Sequence, residues 1–146
     1  MGAAIAFQGV HRSLPVLHGA QGCSFLGKVL LTRHFQEPIA LATSKLFVED
    51  VVMGSEENLA RTVRGFIEKN RPDVIGVITT ALSEVKGDDS EAVVRSLAAE
   101  AASQESGTRI VHVHAPDYAG GLETGYALAV EALLTTAVDG ERTPVA

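Results

Sequence analysis

The segment Val74-Ile75-Gly76-Val77-Ile78-Thr79-Thr80 leaves this chain few folds to choose from. It is nearly all apolar and lies between two helical patterns. A strand with one face in water alternates polar and apolar side chains. A strand without a polar face is covered on both sides, as in a parallel sheet held between helix layers. The helix before it is marked by Ser55 at the N-cap, Glu56 and Glu57 in the first turn, and apolar residues recurring at Leu59, Val63, Phe66 and Ile67. Arg71-Pro72 stops it. Asp88 or Asp89 caps the helix that follows, whose apolar stripe is Val93, Val94, Leu97 and Ala98.

The rest of the chain repeats this alternation. Gly2 to Gln8 predicts a short helix, and Arg12 to Leu17 a strand that feeds the glycine-rich turn His18-Gly19-Ala20-Gln21-Gly22-Cys23. Ser24 to Phe35 reads as a helix, and Pro38 to Ala42 as a second short strand with Pro38 first, where a missing donor is tolerated. Leu46 to Met53 is a short amphipathic segment ended by Gly54. Thr108 to His114 is the fourth strand, Ala115 to Gly121 a loop and Glu123 to Val138 the last helix. Residues 1–138 thus predict one α/β, Rossmann-like domain, a mostly parallel four-stranded sheet flanked by helices. Residues 139–146, with Asp139-Gly140 and Pro144, read as the start of a linker to further domains. Ligands in such folds sit at the carboxyl ends of the strands. The loops His18–Cys23, Thr79–Asp89 and His114–Gly121 leave those ends and are expected to converge.

Composition narrows the function classes. The 146 residues are 46% hydrophobic, enough for one domain with its own core. The formal net charge of −6, with scattered basic residues, argues against a nucleic-acid partner. With no Trp and 5% aromatics, a base-stacking or sugar-stacking surface is not expected. No apolar run approaches the ~20 residues that span a bilayer, and Met1 to Phe7 lacks the basic region of a secretory signal. A single cysteine makes no internal disulfide, so a cytoplasmic, reducing setting is expected.

Several chemistries compete for the candidate residues. Gly22-Cys23-Ser24-Phe25-Leu26-Gly27-Lys28 has the spacing of a phosphate-binding loop, but Val29 stands where that motif needs a magnesium-binding hydroxyl. His112 and His114 share a strand face and are candidate metal ligands together, and His18 stands near Cys23. The plainer expectation is that His18 and His114 end strands and bond loop backbone, with His11 and His34 exposed. The pairs Glu49-Asp50, Glu56-Glu57 and Asp88-Asp89 read as helix first turns or solvated faces. Cys23 is either a small buried hydrophobe or a ligand. Its place at a helix start, where unpaired N–H groups favour negative charge, suits a thiolate, the form that binds metal or attacks. One thiolate cannot close an iron–sulfur site that wants four. If Cys23 is a cluster ligand, the others come from another chain.

The ordered set His18–Cys23, Thr32-Arg33-His34-Phe35, Glu37-Pro38-Ile39, Thr79–Glu84, Gly87-Asp88-Asp89, His114-Ala115-Pro116, Gly120-Gly121 and Thr124-Gly125 resembles nitrogenase component 1 over most of the chain. Subunits of that family are much longer, so the resemblance implies the N-terminal domain only. Catalytic β subunits supply three cysteines and a serine to a shared cluster, at positions that align with Ala6, Cys23, Ala81 and Asp117. Only Cys23 keeps its thiol. The pattern therefore resembles the β-like N subunit of the scaffold on which the iron–molybdenum cofactor matures. The resemblance implies that Cys23 is one metal ligand of a [4Fe–4S] cluster shared with the E subunit in a heterotetramer, with Gly22 and Gly19 permitting close approach and Gln21 and Ser24 beside it. It further implies an iron–molybdenum cofactor precursor held in the full complex, and transient contact with the nitrogenase iron protein and the NifB precursor donor. No catalytic residue is expected in this domain alone. The alternatives are a β-type subunit of a nitrogenase or nitrogenase-like reductase, and a cluster-free interaction domain in which Cys23 is merely buried.

Overall fold

The computed structural model describes residues 1–47, 49–50, 54–104 and 107–138. In chain order it contains α1 (Gly2–Gln8), β1 (Ser13–His18), α2 (Gln21–Phe35), β2 (Ala42–Thr43), α3 (Glu56–Asn70), β3 (Val74–Thr79), α4 (Ala81–Lys86), α5 (Ser90–Ser103), β4 (Arg109–Val113), a single 3-10 turn (Asp117–Ala119) and α6 (Leu122–Val138). The four strands form one all-parallel sheet in the order β2-β1-β3-β4. Leu17 lies beside Ile78, and Ile78 beside Val113.

The apolar run that starts at Val74 is a central strand covered on both faces. Ile75 and Val77 pack with Val16, Leu59, Val63 and Leu97 in one layer, under α3 and α5. Ile78 packs with Phe7, Leu17, Val111 and Ala129 in the other, under α1 and α6. The period of two sends alternate residues of β3 into opposite layers, and Ile75, Val77 and Ile78 are all buried. Gly76 is required by the second layer. A Cβ there would lie 2.3 Å from the Phe7 ring.

Four local expectations are corrected. The second strand is Ala42–Thr43, not Pro38 to Ala42. Ile39 and Leu41 are buried, but as irregular chain packed on the core, so their apolar pattern reflects packing without ladder bonds. The stretch Thr79–Asp89 is not a plain loop, since it holds α4 and ends on Gly87 at φ +78°. Helix α2 begins at Gln21, with extended Ala20 as its N-cap, so Cys23 sits inside the first turn. Ser55 occupies the N-cap position of α3, but its hydroxyl makes no capping bond and turns elsewhere. Asp89 does cap α5, accepting from the Ala92 N–H at 3.0 Å. The linker over residues 139–146 lies outside the described residues, as do positions 48 and 51–53 of the amphipathic segment.

Candidate functional site

The carboxyl ends of β1, β3 and β4 open into one cavity of about 190 Å³. Cys23 enters from the first turn of α2, Thr80, Ala81 and Leu82 follow β3, and Ala115 and Asp117 follow β4, above Leu17 and Ile78. The three loops therefore converge, as parallel strands ending at one edge require. Three of the four positions picked out by the family alignment, Cys23, Ala81 and Asp117, line this cavity. The fourth does not: Ala6 is buried in α1 at 6% exposure, within the core.

Cys23 is free and exposed, so its reading as a buried hydrophobe does not hold for this chain. Its N–H bonds Ala20 O at 3.2 Å, while Ser24 Oγ donates to Gln21 O at 2.9 Å, tying down the turn on either side of the thiol. The two glycines differ. A Cβ on Gly19 would come within 2.5 Å of Thr80 Oγ1, so the space beside Gly19 belongs to its own chain. Among the described residues, a Cβ on Gly22 would meet nothing within 4 Å, which leaves that side open to an outside group.

Helix α2 carries its apolar side chains outwards. Its buried residues are Ser24, Gly27 and Leu31, whereas Phe25, Leu26, Val29 and Leu30 are 65%, 62%, 48% and 66% exposed. Large apolar side chains so exposed, next to one another on one helix, mark an interaction surface. It begins two residues after Cys23.

Behind the cavity lies a buried polar cluster that the sequence pattern did not reveal. His18 is fully buried, with Nδ1 3.0 Å from Ser44 Oγ and Nε2 3.2 Å from Ser55 Oγ. Ser55 donates to Asp88 Oδ2, and Lys86 Nζ pairs with Asp88 Oδ1 at 2.8 Å. Burial pushes the His18 pKa below its usual value, against the opposing pull of the Asp88 carboxylate 3.6 Å away. His18 thus ends a strand as expected but bonds hydroxyls rather than loop backbone. Asp88, one of the two residues read as capping the next helix, is 4% exposed at its side chain. Only Asp89 was needed for the cap, and the spare acid beside it was the available clue.

The other histidines part company. His112 bonds Ser90 at 2.9 Å and is held below its usual pKa by burial, whereas exposed His114 meets Glu84 at 2.8 Å instead of loop backbone. His11 and His34 are exposed, as expected. Among the described residues no group of three or more His, Cys, Asp or Glu is placed to hold a metal ion. The segment Gly22–Lys28 is helical throughout, so its backbone amides do not wrap a phosphate. No described helix is long and apolar enough to cross a membrane.

An all-parallel α/β domain with an exposed thiol at the carboxyl edge, beside an outward apolar helix, is the class that fold and site define. The model of the family described as nitrogenase component 1 type oxidoreductase matches residues 1–145, and the chain belongs to that family. It is 38% identical over 136 residues to the nitrogenase iron-molybdenum cofactor biosynthesis protein NifN of Rippkaea orientalis (strain PCC 8801 / RF-1), covering 93% of this chain and 29% of that protein. It is 37% identical over 134 residues to the protein of the same name from Nostoc sp. (strain PCC 7120 / SAG 25.82 / UTEX 2576), covering 92% of this chain and 30% of that one. Among solved structures, a chain of nitrogenase Cp1 at pH 6.5 superposes with a TM-score of 0.82 at 34% identity, over 92% of this chain and 29% of the other. The chain spans under a third of the length of these relatives.

Proposed function

We propose that this chain is the N-terminal domain, residues 1–138 with the beginning of a linker after it, of the N subunit of the scaffold for nitrogenase iron–molybdenum cofactor biosynthesis. In this reading Cys23 supplies one thiolate to a [4Fe–4S] cluster at the interface with the E subunit. The observation that carries it is the pairing of the exposed Cys23 thiol with the adjacent outward apolar face of α2. The donor set suits a shared cluster. The chain offers one thiol, open space beside Gly22, and alanine at position 81 of the same cavity, so a partner must bring the remaining ligands. When bound, the cluster supplies electron relay. The residues of this chain hold one corner of it and bury the partner against Phe25, Leu26, Val29 and Leu30. The cofactor precursor rests mainly on the partner, the iron protein and the NifB donor make transient contacts, and the complex works in the cytoplasm without catalysis by this domain alone.

Iron and acid-labile sulfide in the full-length subunit test this reading. The subunit is co-purified with its E partner without oxygen and freed of bound precursor, as wild type and as Cys23→Ala. A loss of one four-iron cluster per heterodimer in the variant is the expected result. Equal iron and sulfide in both proteins would hand the lead to the interaction-domain reading. The likeness to nitrogenase Cp1 favours a second reading, a β-type reductase subunit. It requires substrate reduction by the complex, which the scaffold reading does not.

A further inference from the structure

A chain of hydrogen bonds runs beneath the Cys23 turn, and its direction follows atom by atom. Ser55 has one hydroxyl proton, and it goes to Asp88 Oδ2. Towards His18 Nε2, 3.2 Å away, Ser55 Oγ can then only accept, so Nε2 carries the ring proton. Nδ1 is therefore bare and accepts from the Ser44 hydroxyl at 3.0 Å. Ser44 Oγ in turn accepts the Gly19 N–H at 3.3 Å. The relay is one-way, from the Gly19 amide through Ser44, His18 and Ser55 to Asp88, whose other oxygen is held by Lys86. The tautomer is assigned by this hydrogen-bond logic.

The remaining anchors reinforce the same two residues. Gly19 O accepts from Thr43 Oγ1 at 3.1 Å and from Leu46 N–H at 3.0 Å, and His18 O accepts from Thr80 Oγ1 at 2.8 Å. Gly19 is followed by Ala20, the N-cap of α2, and Cys23 stands three residues on. A Ser–His–Asp nucleophile is ruled out by the direction of the relay. The Ser55 proton goes to Asp88 rather than the ring, and the ring is fully buried.

We propose that His18, as its Nε2–H tautomer, is the positioning residue for Cys23: it ties the Gly19 amide through Ser44 to the Ser55–Asp88–Lys86 cluster and so sets the direction in which the first turn of α2 presents the thiol. This rests on the ligand role given to Cys23 above. The charged groups around the ring are Asp88, Lys86 and Glu56. A ring protonated on both nitrogens would point two N–H groups outwards, displace the Ser44 proton and break the relay.

The test uses the full-length subunit in complex with its E partner, anaerobic and freed of precursor, as wild type, Ser44→Ala, Ser44→Thr and Ser55→Ala. Each is read for iron content, the electron paramagnetic resonance of the reduced cluster, and its midpoint potential. Ser44→Ala and Ser55→Ala should keep the iron of the wild type while shifting the g-values and the potential beyond titration error. Ser44→Thr, which keeps the hydroxyl, should restore both. Wild-type g-values and potential in an iron-replete Ser44→Ala or Ser55→Ala complex would overturn the proposal. Should both alanine variants fail to assemble, nitrogen shifts of the labelled His18 ring in the wild-type protein decide. The Nε2–H tautomer supports the relay and the Nδ1–H tautomer sinks it. Cys23→Ala, run in parallel, separates the two ideas. Unchanged iron there fails the ligand reading, whatever the His18 tautomer proves to be.

Discussion

Gly22 sits in the first turn of a helix, exposed, with none of the described residues where a side chain would go. Glycine inside a helix costs about 0.5–1 kcal/mol relative to alanine. Among the described residues nothing compensates that cost at position 22, whereas Gly19, outside the helix, is required by the close approach of Thr80. Gly22→Ala is therefore expected to stabilise the chain by about 0.5–1 kcal/mol in urea unfolding while lowering the iron retained with the partner. Unchanged iron would remove Gly22 from the site. Residues differ in how visible they are before folding. Cys23 stood out because it is unique and follows a glycine-rich turn. The environment of His18 did not, because its partners Ser44 and Ser55 lie 26 and 37 residues away. Nor did Asp88 look unlike its neighbour Asp89, since the same local pattern suits a cap and a buried acid.

Helix α2 shows the same division at the level of an element. Its extent was legible to within three residues from its length and composition, but the face it buries was not. Sequence periodicity favours burying the larger apolar side chains, yet the structure buries Ser24, Gly27 and Leu31 and leaves Phe25, Leu26, Val29 and Leu30 outside. Under the proposed reading, the E subunit covers this outer face. Replacing Leu26 and Leu30 with glutamate should leave the unfolding free energy within about 0.5 kcal/mol per site, as for other exposed positions, while abolishing co-purification with the E subunit. A large loss of stability with assembly intact would show instead that this face serves the fold. The two elements misplaced by sequence reasoning, β2 and α4, have two and six residues. Neither is long enough for a period to repeat.

Across the whole molecule, the buried His18 and the half-buried His112 set part of the pH response. Burial lowers the pKa of His18 against Asp88 and Glu56 and with Lys86, and that of His112 against Glu91, Glu84 and Asp89 and with His114. In the unfolded chain both titrate near ~6.5, so between that value and their lowered native values the unfolded state binds more protons. Stability is full above about pH 6.5 and falls as pH drops from there towards the lowered native values. Urea unfolding should therefore show a lower midpoint at about pH 5.5 than at about pH 7.5, and His112→Phe should reduce the slope. A flat wild-type profile would mean that the rings fold as readily charged as neutral. By itself the sequence determined the alternation of helices and strands, the doubly covered β3, the lone thiol near the start of a helix and the family to which the chain belongs. Those depend on neighbours two to four residues apart or on an ordered set of motifs. Only the tertiary structure decided the strand order β2-β1-β3-β4, the outward face of α2, and the exclusion of Ala6 from the cavity where Cys23, Ala81 and Asp117 meet. It likewise decided the relay that ends on Asp88. These arise where loops close over tens of residues, and no local period encodes which side chains then come to share a space.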